Sequence, residues 1–175
     1  MENEGRAAAS FLAGLRVDVL VNGIPQPLSF GSIGMGKSRD DAVDTAVSEW
    51  AMSVGEALLG AVGVKTGTPP QDVGPFLVYP GLVGIRGAPG VVPPAEVNGQ
   101  LLPKLATVIK GLESSPSEFH SISLMLVVKR DGPVGGECRV DGTASPAALA
   151  AAQSIPWSWN GADYMFKQSY VLRRR

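Results

Sequence analysis

The sequence predicts an α+β domain: a mainly antiparallel sheet with two to three helices packed on one face. Three observations lead there. Short runs of alternating apolar residues outnumber segments with helical spacing. Neighbouring runs are joined by tight-turn spellings, Asn22-Gly23 and Asp131-Gly132. The longest periodic stretch, 38–62, is a single amphipathic helix with strands before and after it.

The elements follow in order. Leu15 to Val21 alternates around Val17, Val19 and Val21 and runs into the Asn22-Gly23 turn, as a strand does. Pro25 and Pro27 then place the short strand Leu28-Ser29-Phe30 at an edge, because each proline removes a ladder donor. In the helix, Val43, Ala46, Val47, Trp50, Val54, Leu58 and Ala61 form one apolar stripe, with Asp41, Asp44 and Ser48 opposite. Ser38 is its N-cap and Asp41 resembles a capping box. Gly60 and Gly63 are stops. Thr66 to Pro75 reads as a loop, and Phe76 to Tyr79 and Leu82 to Arg86 as short strands about Pro80-Gly81.

A second helix is expected within Ala95 to Glu113. Leu101, Leu105, Val108, Ile109 and Leu112 face inward, and Pro103 either kinks it or opens it. Phe119 to Lys129 is a long strand with Ile122, Leu124, Leu126 and Val128 on one face, and Val134 to Asp141 returns beside it. Ser145-Pro146 starts a short helix to Gln153, and Tyr164 to Arg173 closes the chain as a strand. No linker or repeat divides residues 1–175, so one domain is expected, ordered from about 14 to 173.

Composition narrows the function classes. Fifteen basic residues oppose sixteen acidic ones, a net charge of −1. That balance lacks the basic surplus a nucleic-acid binder needs. Arg173, Arg174 and Arg175 read as a solvated chain end. Cys138 is the one cysteine, so no intrachain disulfide forms. The first residues have no basic leader before an apolar run, and no stretch approaches the ~20 apolar residues of a membrane span. A cytoplasmic protein without membrane contact is expected.

Gly31-Ser-Ile-Gly-Met-Gly36-Lys37-Ser38 fits the phosphate-loop spelling G-x-x-x-x-G-K-[ST]. In such a loop, backbone N–H groups curl around phosphate, the lysine reaches the outer phosphates and the hydroxyl holds magnesium. Gly31, Gly36, Lys37 and Ser38 are thus candidate phosphate ligands. Three features oppose that reading. The preceding Pro25 to Phe30 is not a buried apolar strand. Asp40 and Asp41 place negative charge where a polyphosphate would sit. No acidic strand end offers a second magnesium ligand. The favoured reading is a glycine-rich turn into a capped helix, with no cofactor and no metal.

The remaining chemistry is sparse. His120 is the one histidine. The hairpin register sets Cys138 opposite Met125, within a residue or two, which leaves His120 about five residues, or roughly 16 Å, further along. A nucleophile–base pair needs hydrogen-bond reach. Asp40, Asp41, Asp44 and Glu49 concentrate negative charge along the start of the helix, a solvated face by default and otherwise, at Asp40, Asp41 and Asp44 above all, a docking face for a basic partner. Trp157 and Trp159 read as packing under the last strand rather than a contact loop.

Several of these pieces resemble a family. They are Ala42-Val-Asp-Thr-Ala-Val-Ser-Glu-Trp50 after a Gly-x-Gly turn, Phe119-His120, Gly136-Glu-Cys-Arg-Val-Asp-Gly142, Pro156-Trp157 and Phe166-Lys-Gln-Ser-Tyr-Val-Leu-Arg173. Together they are similar to a bacterial family of unknown function of the DUF6348 type, over Leu15 to Arg173. The resemblance implies a small soluble bacterial protein and carries over no catalytic residues. The leading expectation is therefore a non-catalytic protein-binding or regulatory module, of which an immunity-type antitoxin is one form. Its partner would be another protein or a second copy. The alternatives are a nucleotide-binding enzyme using Lys37 and Ser38, and a self-associating structural protein.

Overall fold

Asn22 and Gly23 both take positive φ, 52° and 78°, the conformation a two-residue hairpin turn demands. They join β1 (Phe11–Val21) to β2 (Ile24–Gly36), which pair antiparallel as a two-stranded ribbon. The computed structural model describes residues 11–87, 95–130, 134–157 and 163–175. The Asp131-Gly132 turn and Trp159 lie outside them.

Strand β2 is far longer than the predicted Leu28 to Phe30. Pro25 and Pro27 sit in it because, among the described residues, β2 pairs on one side only. The glycine-rich segment Gly31 to Gly36 is extended and runs beside Arg16 to Phe11. The expected glycine turn is thus a strand. Its glycines answer to packing: a methyl at Gly34 would overlap Ala42 O and Ala46 N, and one at Gly36 would lie 2.5 Å from Ala42 N.

Those contacts belong to α1 (Arg39–Ala61). Ser38 caps it, accepting a hydrogen bond from the Asp41 N–H at 3.1 Å. The predicted stripe is rotated. Ala42, Ala46, Val54, Ala57 and Ala61 are buried, whereas Val43 and Val47 are exposed. Small side chains let the helix approach the β2 glycines, so the alanines turn inward and the valines outward. Ser32 Oγ fastens this contact by donating to Ala46 O at 2.5 Å.

The main sheet follows. β3 (Gln71–Val73), which lies in the predicted loop, pairs with β4 (Phe76–Pro80). β5 (Gly84–Gly87) does not pair with β4; both lie end to end along one side of the final strand. α2 (Ala95–Gly111) keeps Pro103 within it and ends in a 3₁₀ turn, Leu112–Ser114. β6 (Phe119–Val128) and β7 (Gly135–Val140) pair as predicted, followed by β8 (Thr143–Ala144) and α3 (Pro146–Gln153), capped by Ser145. β9 (Tyr164–Arg174) takes the centre, giving the order β3-β4-β9-β6-β7-β8, with every pairing antiparallel.

Helices cover both faces of this sheet rather than one. On the first face, α2 and α3 bury Phe76, Ile122, Leu124, Leu126, Phe166 and Leu172. Trp157 belongs to this core: its Nε1 donates to Ala152 O at 2.7 Å and its ring lies 4.7 Å from Phe166. On the opposite face, α1 and the ribbon pack through Leu28, Phe30, Val54 and Ala57 onto Tyr79, Phe119 and Val171. The sequence-based expectation counted the even-numbered apolar residues of β6 and missed what the odd-numbered ones require.

The basic end is not a solvated tail. Arg173 donates to Ala61 O at 3.1 Å and Arg174 donates to Ser115 O at 2.5 Å and Leu112 O at 3.3 Å. Arg174 thereby adds a donor to the carbonyls of the turn in which α2 ends. No helix among the described residues is long and apolar enough to cross a membrane.

Candidate functional site

The sheet face under α1 and the ribbon changes character along its length. In β6, Phe119 gives way to Ser121, Ser123 and Met125 on the same side. In β9, Val171 gives way to Ser169, Lys167 and Met165. The helix and ribbon seal the apolar end, where water is expelled by burying large side chains. Over the polar end they stand off, and a half-open cleft of about 630 Å³ remains. Cavities of about 300–1,000 Å³ with an apolar lining and a few polar groups are the usual form of ligand sites.

Seven elements line it, β2 among them through Ser29 and Gly31. β6 and β9 give the floor, with Ser123, Met125, Met165, Lys167 and Ser169. α1 contributes Glu49 and Met52, β5 contributes Arg86, and β7 adds Glu137 and Arg139. Leu15 of β1 and the exposed Leu82 and Val83 before β5 form an apolar rim. Three methionines in one cleft are notable, because an unbranched thioether adapts to varied shapes.

The charges are organised around Glu49. Its carboxylate pairs with Arg86 and, at 3.4 Å, with Lys167. Two cations thus share one carboxylate at the cleft wall. Burial, and after it the charge of Arg86, hold the Lys167 ammonium below the usual lysine range. Nearby, Arg139 and Glu137 neutralise each other at 2.8 Å.

The predicted site residues are placed as follows. Gly31 lines the cleft, but Gly36, Lys37 and Ser38 do not. Lys37 is exposed, and the hydroxyl of Ser38 is occupied as the α1 cap. No closed loop of N–H groups forms at Gly31 to Gly36, because that backbone is strand. Asp40, Asp41 and Asp44 are exposed at the start of α1, away from the cleft.

Neither His120 nor Cys138 reaches the cleft; both point into the opposite core. Cys138 pairs with Leu124, one residue from the expected register. Burial, aided by the Glu137 charge, pushes its thiol up to about 12, so it is no nucleophile near neutral pH. His120 has a partner the sequence reading missed: its Nδ1 lies 2.7 Å from Asp141 Oδ2. The buried Nε2 of His120 has no partner among the described residues. Register arithmetic carried three residues beyond Cys138 would have found Asp141.

Among the described residues no group of three or more His, Cys, Asp or Glu side chains gathers as a metal site. The cleft presents serines, guanidinium groups, one ammonium and carboxylates. It can hold and orient a ligand, and it contains no nucleophile–base pair of the Ser–His or Cys–His kind.

No curated protein and no solved structure matches this chain. The model of one family matches residues 10–174, the span from the ribbon to the last strand. The chain therefore belongs to DUF6348, a family of unknown function.

Proposed function

We propose that this protein is a non-catalytic regulatory module that works by binding a small ligand in the cleft. One observation carries the reading: the sheet face is sealed where it is apolar and left open where it carries Ser123, Ser169 and Lys167. A face selected only for stability would have no use for a half-buried ammonium there, since burying charge costs free energy. The supporting fact is that His120 and Cys138 are turned away from the cleft, into the opposite core.

Regulation needs an output. The exposed Asp40, Asp41 and Asp44 suit a basic protein surface, and none of them is in an ion pair among the described residues. An immunity-type inhibitor is one form of such a module, with α1 linking the docking face to the cleft through Glu49.

Thermal unfolding against a panel of small metabolites of mixed charge tests the reading. A ligand at 100 times its Kd stabilises by about 2.7 kcal/mol, which is a shift of roughly 5–10 °C for a domain of this size. The wild type should shift with at least one compound, and Ser123→Phe, which fills the cleft floor, should not. A panel that stabilises neither protein, or both equally, contradicts the cleft as the binding site.

A further inference from the structure

Arg16 and Arg139, the other cations on the lining, have partners in Asp18 at 3.5 Å and Glu137 at 2.8 Å, so around Glu49 the cleft is one negative charge short. Arg86 and Lys167 both reach its carboxylate, from strands that meet side by side at Gly84↔Lys167 and Arg86↔Met165. The three side chains are partly shielded, at 45%, 24% and 21% exposed for Arg86, Lys167 and Glu49. Two like charges held together with only part of their water shell repel each other, and a second anion between them relieves that repulsion. The downward displacement of the Lys167 ammonium has this cause in part, because Arg86 lies close to it.

Beside this charge the wall is apolar. Met52, Met125, Met165, Leu82 and Val83 face the same space. A ligand that matched both halves would be amphiphilic, with a charged end at Lys167 and an apolar body against the methionines. The size of the deficit chooses the head group. One missing negative charge is restored by a monoanion, whereas a phosphate monoester carries about −1.5 to −2 near neutral pH and overshoots. A carboxylate also accepts in a bidentate manner from a guanidinium such as Arg86.

We propose that the cleft takes an amphiphilic carboxylate, its head group held by Lys167 and Arg86 and its alkyl or aryl body by the methionine wall. This rests on the cleft being the binding site. The ligand completes a charge cluster that the chain itself leaves unbalanced.

Calorimetric titration of the full chain with four eight-carbon probes tests it: octanoate, octyl phosphate, octanol and octylamine. Octanoate should bind at least tenfold more tightly than octanol and octyl phosphate, and octylamine should bind weakest. Lys167→Met should remove the preference of octanoate over octanol while leaving Glu49 paired with Arg86. Glu49→Gln frees both cations and should tighten octanoate binding severalfold. A purely structural Lys167 would alter stability without moving the octanoate-to-octanol ratio. Arg86→Met, at a half-exposed position, repeats the test if Lys167→Met does not fold. Octanol binding as tightly as octanoate, or octyl phosphate binding more tightly, overturns the carboxylate and leaves the cleft standing. No binding by any of the four overturns the carboxylate as well, and the wider metabolite panel with Ser123→Phe then decides the cleft separately.

Discussion

His120 Nδ1 and Asp141 Oδ2 lie 2.7 Å apart, joining the start of β6 to the turn that follows β7. Asp141 also accepts the Ser121 N–H at 2.7 Å. It holds φ at 50° to do so, a conformation that Asn and Asp tolerate better than most residues. Removing the carboxylate strands a buried imidazole and a buried N–H. Asp141→Ala should therefore destabilise by about 2–4 kcal/mol. Asp141→Asn, which keeps an acceptor and the backbone preference, should cost clearly less. Urea unfolding of both variants checks the order, and equal losses would mean that the turn conformation rather than the hydrogen bonds carries the effect.

The contact between α1 and β2 depends on the missing side chain of Gly34. Its surroundings are the helix backbone, at Ala42 and Ala46, which cannot yield as a flexible side chain would. Gly34→Ala should cost about 1–3 kcal/mol or more by overpacking. Gly14→Ala, on the partner strand with nothing within 4 Å of the added methyl, should be close to neutral. Thermal melts of the two variants side by side check this.

Much of the fold was legible because it is written in local signals. Asn22-Gly23, the Ser38 and Ser145 caps and the alternation in β6 each work through contacts a few residues apart. Gly31 to Gly36 was not legible in this way. Glycine spells a turn when read locally, but here it serves a helix that arrives from further along the chain. The same limit hid the cleft. Ser123, Lys167 and Ser169 read as ordinary polar positions until it is known that α1 covers one end of their face and leaves the other open. Glu49 and Lys167 are 118 residues apart in sequence, and no spacing rule connects them.

Cys138 supplies a pH signature. In the folded chain its thiol is raised from 9.0 to about 12, by burial first and the Glu137 charge second. The folded state therefore keeps a proton that the unfolded chain releases. This contribution to stability is fully present below about pH 9 and is lost progressively as pH rises towards about 12. Cys138→Ala, compared with the wild type in urea at pH 8 and at pH 11, should flatten part of the alkaline fall. Thiol labelling at pH 8 should be slow in buffer and fast in denaturant. Rapid labelling of the native chain would contradict the burial.

Ser38 and Lys37 separate the two readings of the glycine-rich segment. Ser38→Ala removes the acceptor for the Asp41 N–H and should cost about 1 kcal/mol. Lys37→Ala, on an exposed side chain, should stay within about 0.5 kcal/mol of wild type. Mg-ATP and Mg-GTP should stabilise neither the wild type nor Lys37→Ala. A nucleotide shift that Lys37→Ala abolishes would restore the phosphate loop.

The cleft itself is read most directly from the methionine methyl groups. The chain has five methionines. Met52, Met125 and Met165 line the cleft, while Met35 sits exposed on the ribbon outside it. In a methyl NMR spectrum, octanoate or any compound that raises the unfolding temperature should move the signals of Met52, Met125 and Met165 and leave Met35 in place. Ser123→Phe should suppress those movements. Movement of Met35 with the three cleft signals unchanged would contradict the central claim.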